Sequence, residues 1–173
     1  EEVPYEINIS WWSAMADGGI DPAYLQRERF LLTQLLILAL PGVPAFYLPA
    51  LLAAPNDLTR FRRTGHRRDL NRPQFKAQAL ERRLADPDAD ASAMLPVLSK
   101  ALAERAVHRA LHPDAPMKVL SADRSDRVIL QRFGDGETLV AVHNMTASRL
   151  SLRLGDLGGD LNQSWSDCLS GHV

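Results

Sequence analysis

Cysteine is almost missing from this chain of 173 residues: its single thiol, Cys168, has no partner for an internal disulfide. Disulfides belong to oxidising compartments, so a reducing one is expected, the cytoplasm, with Cys168 as a small apolar filler. An excess of one charge is missing too. Twenty Lys and Arg stand against 21 Asp and Glu, a formal net charge of -1. That argues against a chain dedicated to nucleic acid or to anionic membranes. Long apolar runs are absent. The longest, Phe30 to Leu40, contains Thr33 and Gln34 and is about half the roughly 20 residues of a membrane span, so it reads as a buried helix. His66, His108, His112 and His143 do not recur at metal-ligand spacing on one element, so no metal and no cofactor are expected. Internal repeats are lacking. The first residues, Glu1-Glu2-Val3-Pro4, show neither an initiator Met nor a signal peptide, and the expectation is a piece of a longer polypeptide.

What is present is a core-forming composition, 46% apolar, with a clear order of elements. Tyr5, Ile7 and Ile9 alternate with Glu6, Asn8 and Ser10, the period of a strand or extended loop. Trp11-Trp12 and Gly18-Gly19 close that segment. Asp21 caps and Pro22 opens a helix that runs to about Leu40, where Pro41-Gly42 stops it. Val43 to Leu48 fits a strand buried on both faces. Strand, helix, strand is the α/β order. A polar loop over 53–73 leads to a helix from Gln74 to Leu84, a break at Asp86 to Asp90, and a helix from Ala93 to Leu111. Leu95, Leu98, Leu102 and Ala106 form the stripe of that last helix, with Pro96 in its first turn. Beyond residue 115 the texture is short strands: Lys118 to Leu120, Arg127 to Phe133, Thr138 to His143 and Arg149 to Leu154. Asp135-Gly136 is a hairpin turn between two of them.

The densest chemistry lies at Asn56 to Arg72, after the apolar run 43–48. Between Asn56 and Leu84 there are nine Lys or Arg and three Asp or Glu, a local excess of six positive charges. A nucleic-acid surface would interleave such a patch with exposed aromatics, whereas only Phe61 and Phe75 are there and both fit packing. A positive rim that attracts phosphate, or a phosphorylated or carboxylated substrate, suits the pattern better. Trp11-Trp12 reads either as a sugar-stacking platform or as buried packing.

Several segments occur together in a telling order: Pro4-Tyr5-Glu6-Ile7-Asn8-Ile9-Ser10, Pro41-Gly42-Val43-Pro44-Ala45-Phe46-Tyr47, Asn56-Asp57, and Thr64-Gly65-His66-Arg67-Arg68-Asp69-Leu70-Asn71-Arg72. Arg109-Ala110-Leu111-His112-Pro113, Val142-His143-Asn144-Met145-Thr146 and Trp165-Ser166-Asp167-Cys168-Leu169-Ser170-Gly171 follow. The chain resembles, over nearly its whole length, the C-terminal part of the sucrose phosphorylase subfamily of the alpha-amylase superfamily. The resemblance implies an α/β fold: the C-terminal portion of a TIM (β/α)8 barrel over 1–113, followed by a small antiparallel β-sheet domain over 114–173. It implies reversible, retaining transfer of an α-glucosyl unit between an acceptor and inorganic phosphate, by a carboxylate nucleophile and an acid/base carboxyl group. In the family these catalytic carboxylates lie upstream of the matched segment, so none is expected in this chain, and alone it is expected to be inactive.

Residue by residue, the resemblance puts Arg68 on the donor glucose, Tyr5 and Glu6 at the acceptor and phosphate site, and Asn56 and Asp57 in a site loop. Sucrose phosphorylases usually carry glutamine where this chain has Glu6. An ionised carboxylate only accepts hydrogen bonds, so sucrose gives ground to a glucosylglycerate, glucosylglycerol or sugar-phosphate type of acceptor. The implied partners are a small carbohydrate and phosphate, with neither nucleic acid nor membrane, and a homodimer of the full-length enzyme. A second reading stays open: a non-catalytic carbohydrate-binding or pseudoenzyme fragment of the same superfamily. Structural readings of Arg68, Glu6 and Tyr5, as an ion pair, a solvated strand residue and packing, stay open beside their site roles.

Overall fold

A computed structural model describes residues 6–16, 18, 22–121, 123–158 and 164–170. The chain divides into two compact units, Glu1–Leu31 with Ala45–Val97, and Leu32–Pro44 with Leu98–Val173.

The first unit is helical. Ser10 caps the short helix α1 (Trp11–Ala14) by accepting from Ser13 N at 3.1 Å. In α2 (Ala23–Ala39) the fully buried Phe30 meets Trp12 edge-to-face, with ring centroids 5.3 Å apart. Gln26 Nε2 donates to the Trp12 carbonyl at 2.9 Å, fixing α1 on α2. Trp12 is therefore packing, while Trp11 is exposed. Pro49 sits in the first turn of α3 (Leu48–Leu51), where a missing N–H costs nothing. Leu52, Ala53 and Ala54 are buried behind it. The helices α4 (Leu58–Thr64) and α5 (Ala77–Ala85) follow, with the first residues of α6 (Asp90–Val107), whose remainder from Leu98 belongs to the second unit. Arg83 Nη2 donates to the Ala53 carbonyl at 3.2 Å, and Arg27 pairs with Asp90 at 2.8 Å.

The second unit carries an antiparallel sheet in the order β1 (Met117–Val119), β2 (Arg127–Gly134), β3 (Glu137–Asn144). Gly134 pairs with Glu137 across the Asp135-Gly136 turn, where Gly136 takes a positive φ of 72°, which glycine adopts without steric cost. The central strand β2 buries Ile129, Leu130, Gln131 and Arg132. Gly134 permits a close approach: a Cβ there would lie 2.4 Å from Ala110 N and 2.5 Å from Arg109 C.

Two buried guanidiniums finish the C-terminus of α2. Arg105 Nη1 donates to the Leu38 carbonyl and to that of Leu40 at 3.2 Å, and its Nη2 to that of Gly42 at 2.6 Å. Arg132 Nη1 donates to the Ala39 carbonyl at 2.8 Å, and its Nη2 to those of His112 at 2.8 Å and Ala115 at 3.1 Å. The last carbonyls of a helix lack intrahelical donors and carry the negative end of its dipole, which explains why cations settle there. Burial pushes both guanidinium pKa values down, and for Arg132 the nearby Arg105 charge adds to this. Arginine still holds its proton, and it supplies the fork of donors this site uses.

The structure corrects several expectations. Of the strand and extended-loop readings of the first segment, 6–10 takes the loop: it has no strand partner among the described residues, and Ile7 is 84% exposed. Residues 43–47 likewise form no strand and Leu48 already begins α3; Val43 is 82% exposed. Alternation and apolarity prepare a strand, but a ladder needs neighbouring backbone, and Pro44 offers no N–H to one. The strand–helix–strand order is therefore not formed among the described residues. The expected strand 149–154 is absent too. Asn144 accepts from Thr146 N at 3.0 Å and donates to the Ser148 carbonyl at 2.6 Å, so side-chain bonds turn the chain off β3. A 3-10 turn follows at Leu154–Leu157. The last long helix begins at Asp90, so Pro96 lies inside it rather than in its first turn. It lies on the exposed side, where water can serve the carbonyl it leaves unbonded. The helix stops at Val107, and Arg109–Leu111 is a 3-10 turn. The proposed cap Asp21 lies outside the described residues. Among the described residues no helix is long and apolar enough to cross a membrane.

Candidate functional site

The arginine-rich stretch is a folded clamp rather than an open loop. Asp57 Oδ1 accepts from Arg60 N at 2.8 Å and so caps α4. Gly65 ends that helix at φ 67°, its N–H returning to the Phe61 carbonyl at 2.8 Å. A 3-10 turn, Arg67–Asp69, comes next. Arg60 Nη2 lies 2.9 Å from Asp69 Oδ1, tying the turn back onto the helix. Hydrogen bonds from Thr64 and Arg60 take the Asp69 carboxyl below its ordinary pKa. Asp57 N donates to the Leu70 carbonyl at 2.7 Å and closes the clamp.

Asn56 joins this clamp to the segment that carries Glu6. Its Oδ1 accepts from Ser10 N at 2.7 Å, and its own N–H donates to Ser13 Oγ at 3.0 Å. With the two segments fastened, Arg68 Nε donates to Glu6 Oε1 at 2.9 Å and Arg68 Nη2 to Glu6 Oε2 at 3.2 Å. This is the forked geometry that matches a guanidinium to a carboxylate. The Arg68 bond, and then the charges of Arg68 and Arg72, hold the Glu6 carboxyl below its usual pKa, so it is ionised at neutral pH. The same bond raises Arg68. Both side chains reach solvent, at 49% and 36% exposure, so the pair contributes little to stability. It is better suited to aiming Arg68.

Polar atoms in the same unit are left over. Asn8 Oδ1, Asn71 Oδ1, Arg60 Nε and Arg60 Nη1 are buried without a hydrogen-bond partner among the described residues. A buried polar atom left in that state costs about 1–3 kcal/mol, so it marks a place where a further partner is wanted. Asn8 belongs to the Tyr-Glu-Ile-Asn motif and Asn71 to the Arg-Asp-Leu-Asn-Arg motif.

The sequence comparisons point the same way. Over 142 residues, 82% of this chain, it is 34% identical to a glucosylglycerate phosphorylase of Allomeiothermus silvanus, of which it covers 25%. It is 27% identical over 90% of its length to the glucosylglycerate phosphorylase of Escherichia coli, covering 28% of that protein. It is 32% identical over 78% of its length to the one from Spirochaeta thermophila, covering 23% of it. These three relatives support the resemblance, read from the motifs, to the C-terminal part of a sucrose phosphorylase-like enzyme. The chain spans about a quarter of the length of the curated relatives it matches, in their C-terminal part. No family model matches it.

Of the subfamily residues singled out in the sequence, the structure joins Arg68 and Glu6 directly. Asn56 and Asp57 serve the local architecture: Asn56 fastens two segments and Asp57 caps a helix. Tyr5 lies outside the described residues. Sequence reasoning did not single out Asn8, Asn71, Arg60 and Arg72. The two subfamily motifs contain three of these four, so motif membership was the signal that could have found them.

Proposed function

We propose that this chain is the C-terminal part of a retaining sugar phosphorylase that exchanges an α-glucosyl unit between glycerate and inorganic phosphate. In this reading residues 1–113 complete the end of a TIM barrel and 114–173 form its appended β-sheet domain. The nucleophile and the acid/base carboxyl group belong to the rest of the polypeptide. Arg68 holds the donor glucose, and Glu6, with Tyr5 beside it, faces the acceptor and phosphate site.

The observation that carries this reading is the forked Arg68–Glu6 bond. It puts an always-charged donor next to an ionised acceptor of hydrogen bonds, the complement of a sugar-ring hydroxyl and an acceptor hydroxyl. An isolated carboxylate would repel phosphate or glycerate. Glu6 paired with Arg68, near the Arg72 charge, lets such an anion approach. The excess of six positive charges across Asn56 to Leu84 supports the same preference. The glycerate acceptor rests on the names of the three relatives and on Glu6 standing where glutamine is usual for sucrose.

The test is phosphorolysis by the full-length protein, followed as glucose 1-phosphate release from glucosylglycerate, glucosylglycerol and sucrose. The proposal expects glucosylglycerate to have the highest kcat/KM. A preference for sucrose would contradict the acceptor assignment, and no release from any of the three would contradict the phosphorylase reading.

A further inference from the structure

We propose that Asp69 is a positioning residue of the glucosyl-transfer site, holding Arg68 at the donor glucose through its ion pair with Arg60. The inference rests on the donor role proposed above for Arg68. Glu6 grips only the far end of the Arg68 side chain. The backbone that carries Arg68 is the 3-10 turn Arg67–Asp69, three residues long and entered from Gly65 at φ 67°. His66, which leads into it, makes no side-chain capping bond. The turn's own bonds are local, from Asp69 N to the His66 carbonyl at 3.0 Å and from Leu70 N to that of Arg67 at 3.2 Å. So short a 3-10 turn has poor hydrogen-bond geometry and cannot fix where it stands. An outside anchor has to do that.

Helix α4 supplies the anchor. Asp57 N holds the Leu70 carbonyl at 2.7 Å just beyond the turn. Inside the turn, Asp69 is the one residue whose side chain bonds to α4 among the described residues: its Oδ1 meets Arg60 Nη2 at 2.9 Å. Hydrogen bonds from Thr64 and Arg60 lower its pKa, so the carboxylate is ionised at neutral pH. The Arg60 and Asp69 side chains are 21% and 17% exposed, less than half the exposure of Arg68 and Glu6. Water and salt screen this inner pair less, so it is the firmer of the two. Arg60 Nε and Nη1 are buried without partners among the described residues, which leaves Asp69 as the one anion that answers this guanidinium there. Asp69 follows Arg68 directly in the chain, so a shift of its carboxylate carries the Arg68 backbone with it. Misplacing a substrate-binding group by about 1 Å can cost about a hundredfold in rate.

A double-mutant cycle in the full-length protein tests this, read as kcat/KM for glucose 1-phosphate release from glucosylglycerate and phosphate. Asp69→Ala is expected to lower kcat/KM by at least about tenfold. In an Arg68→Ala background there is no guanidinium left to aim, and the same substitution is expected to cost less than about twofold. A merely structural carboxylate would cost the same factor in both backgrounds, and that result overturns the inference. Wild-type kinetics in Asp69→Ala beside a crippled Arg68→Ala also overturn it, and leave the donor role of Arg68 standing. An Arg68→Ala enzyme as active as wild type overturns the donor role, and this inference with it. Should Asp69→Ala not fold, Asp69→Asn enters the same cycle. It keeps an oxygen for Arg60 and loses the charge, with an expected cost of about threefold or more that disappears without Arg68. A cost that persists there, or no cost at all, overturns the inference.

Discussion

Arg68 grips Glu6 through two parallel hydrogen bonds, 2.9 Å from Nε and 3.2 Å from Nη2, across 62 residues of sequence. The two side chains sit on segments that Asn56 fastens together. An exposed pair of this kind is a poor stabiliser, so its geometry is read here as a positioning device.

Arg68→Lys tests that distinction. Lysine keeps the charge and loses the fork. Phosphorolysis by the full-length enzyme is expected to fall by about two orders of magnitude in kcat/KM, on the scale of a lost transition-state donor, with its melting temperature nearly unchanged. An unaltered rate would return Arg68 to the structural reading.

Glu6→Gln restores the residue usual at this position in sucrose phosphorylases. It adds donors where Glu6 can only accept. Relative kcat/KM should move from glucosylglycerate toward sucrose by about tenfold or more, on the scale that an unpaired polar group costs a site. An unchanged acceptor profile would make Glu6 a solvated surface residue.

Stability of the second unit should depend on pH through His108, whose two ring nitrogens face Glu137 and Glu104. Glu137 foremost raises the folded-state pKa of His108 above its ordinary 6.5. The stabilisation is then complete below 6.5 and fades as pH rises through the raised value. Burial works against ionisation of Glu137, but the Ala110 N–H and His108 outweigh it and take its pKa below 4.5. That contribution is present above 4.5 and fades as pH falls through the lowered value. The melting-temperature advantage of wild type over His108→Gln should peak between these limits and shrink toward pH 9. An advantage independent of pH would show that the ring acts by packing alone.

Arg132→Met should cost about 3 kcal/mol in urea unfolding, because it strips donors from three carbonyls, at least one of them buried. Arg132→Lys should recover little of it, since one ammonium cannot span the same three oxygens. A fully stable Arg132→Met would mean that solvent serves these carbonyls.

Gly134→Ala should be at least as damaging. Its Cβ would stand 2.4 Å from Ala110 N and 2.5 Å from Arg109 C, both backbone atoms. A loss of several degrees in melting temperature is expected, and an unchanged value would mean that the 3-10 turn at Arg109–Leu111 yields freely.

The legible parts of the fold were those set by local pattern. β2, β3 and their Asp135-Gly136 turn follow from two short strand-like runs on either side of a turn dipeptide, and α2 from its apolar run and its Pro-Gly stop. Helix α4 was concealed: its cap Asp57 and stop Gly65 stood in the sequence, but Leu58 and Phe61 are too few to make a stripe among arginines. The extended segment 43–47 was misread as a strand because pairing depends on backbone that no local pattern contains, while 6–10 takes the extended-loop alternative of the two its alternation left open. The roles of Arg105 and Arg132 could not be read at all, since Arg132 finds the Ala39 carbonyl 93 residues away. Of the candidate site, Arg68 and Glu6 were both singled out by resemblance to the family. Their direct bond, and the local bonds by which Asn56 and Asp57 brace the loop, came from the structure.

The central claim is that this chain supplies the Arg68–Glu6 half of a glucosyl-transfer site. Its most direct test is glucose 1-phosphate formation from glucosylglycerate and phosphate by the full-length protein, wild type against Arg68→Ala. The account predicts turnover in the wild type and a loss of at least about a hundredfold in the variant. Equal rates for the two proteins would contradict it.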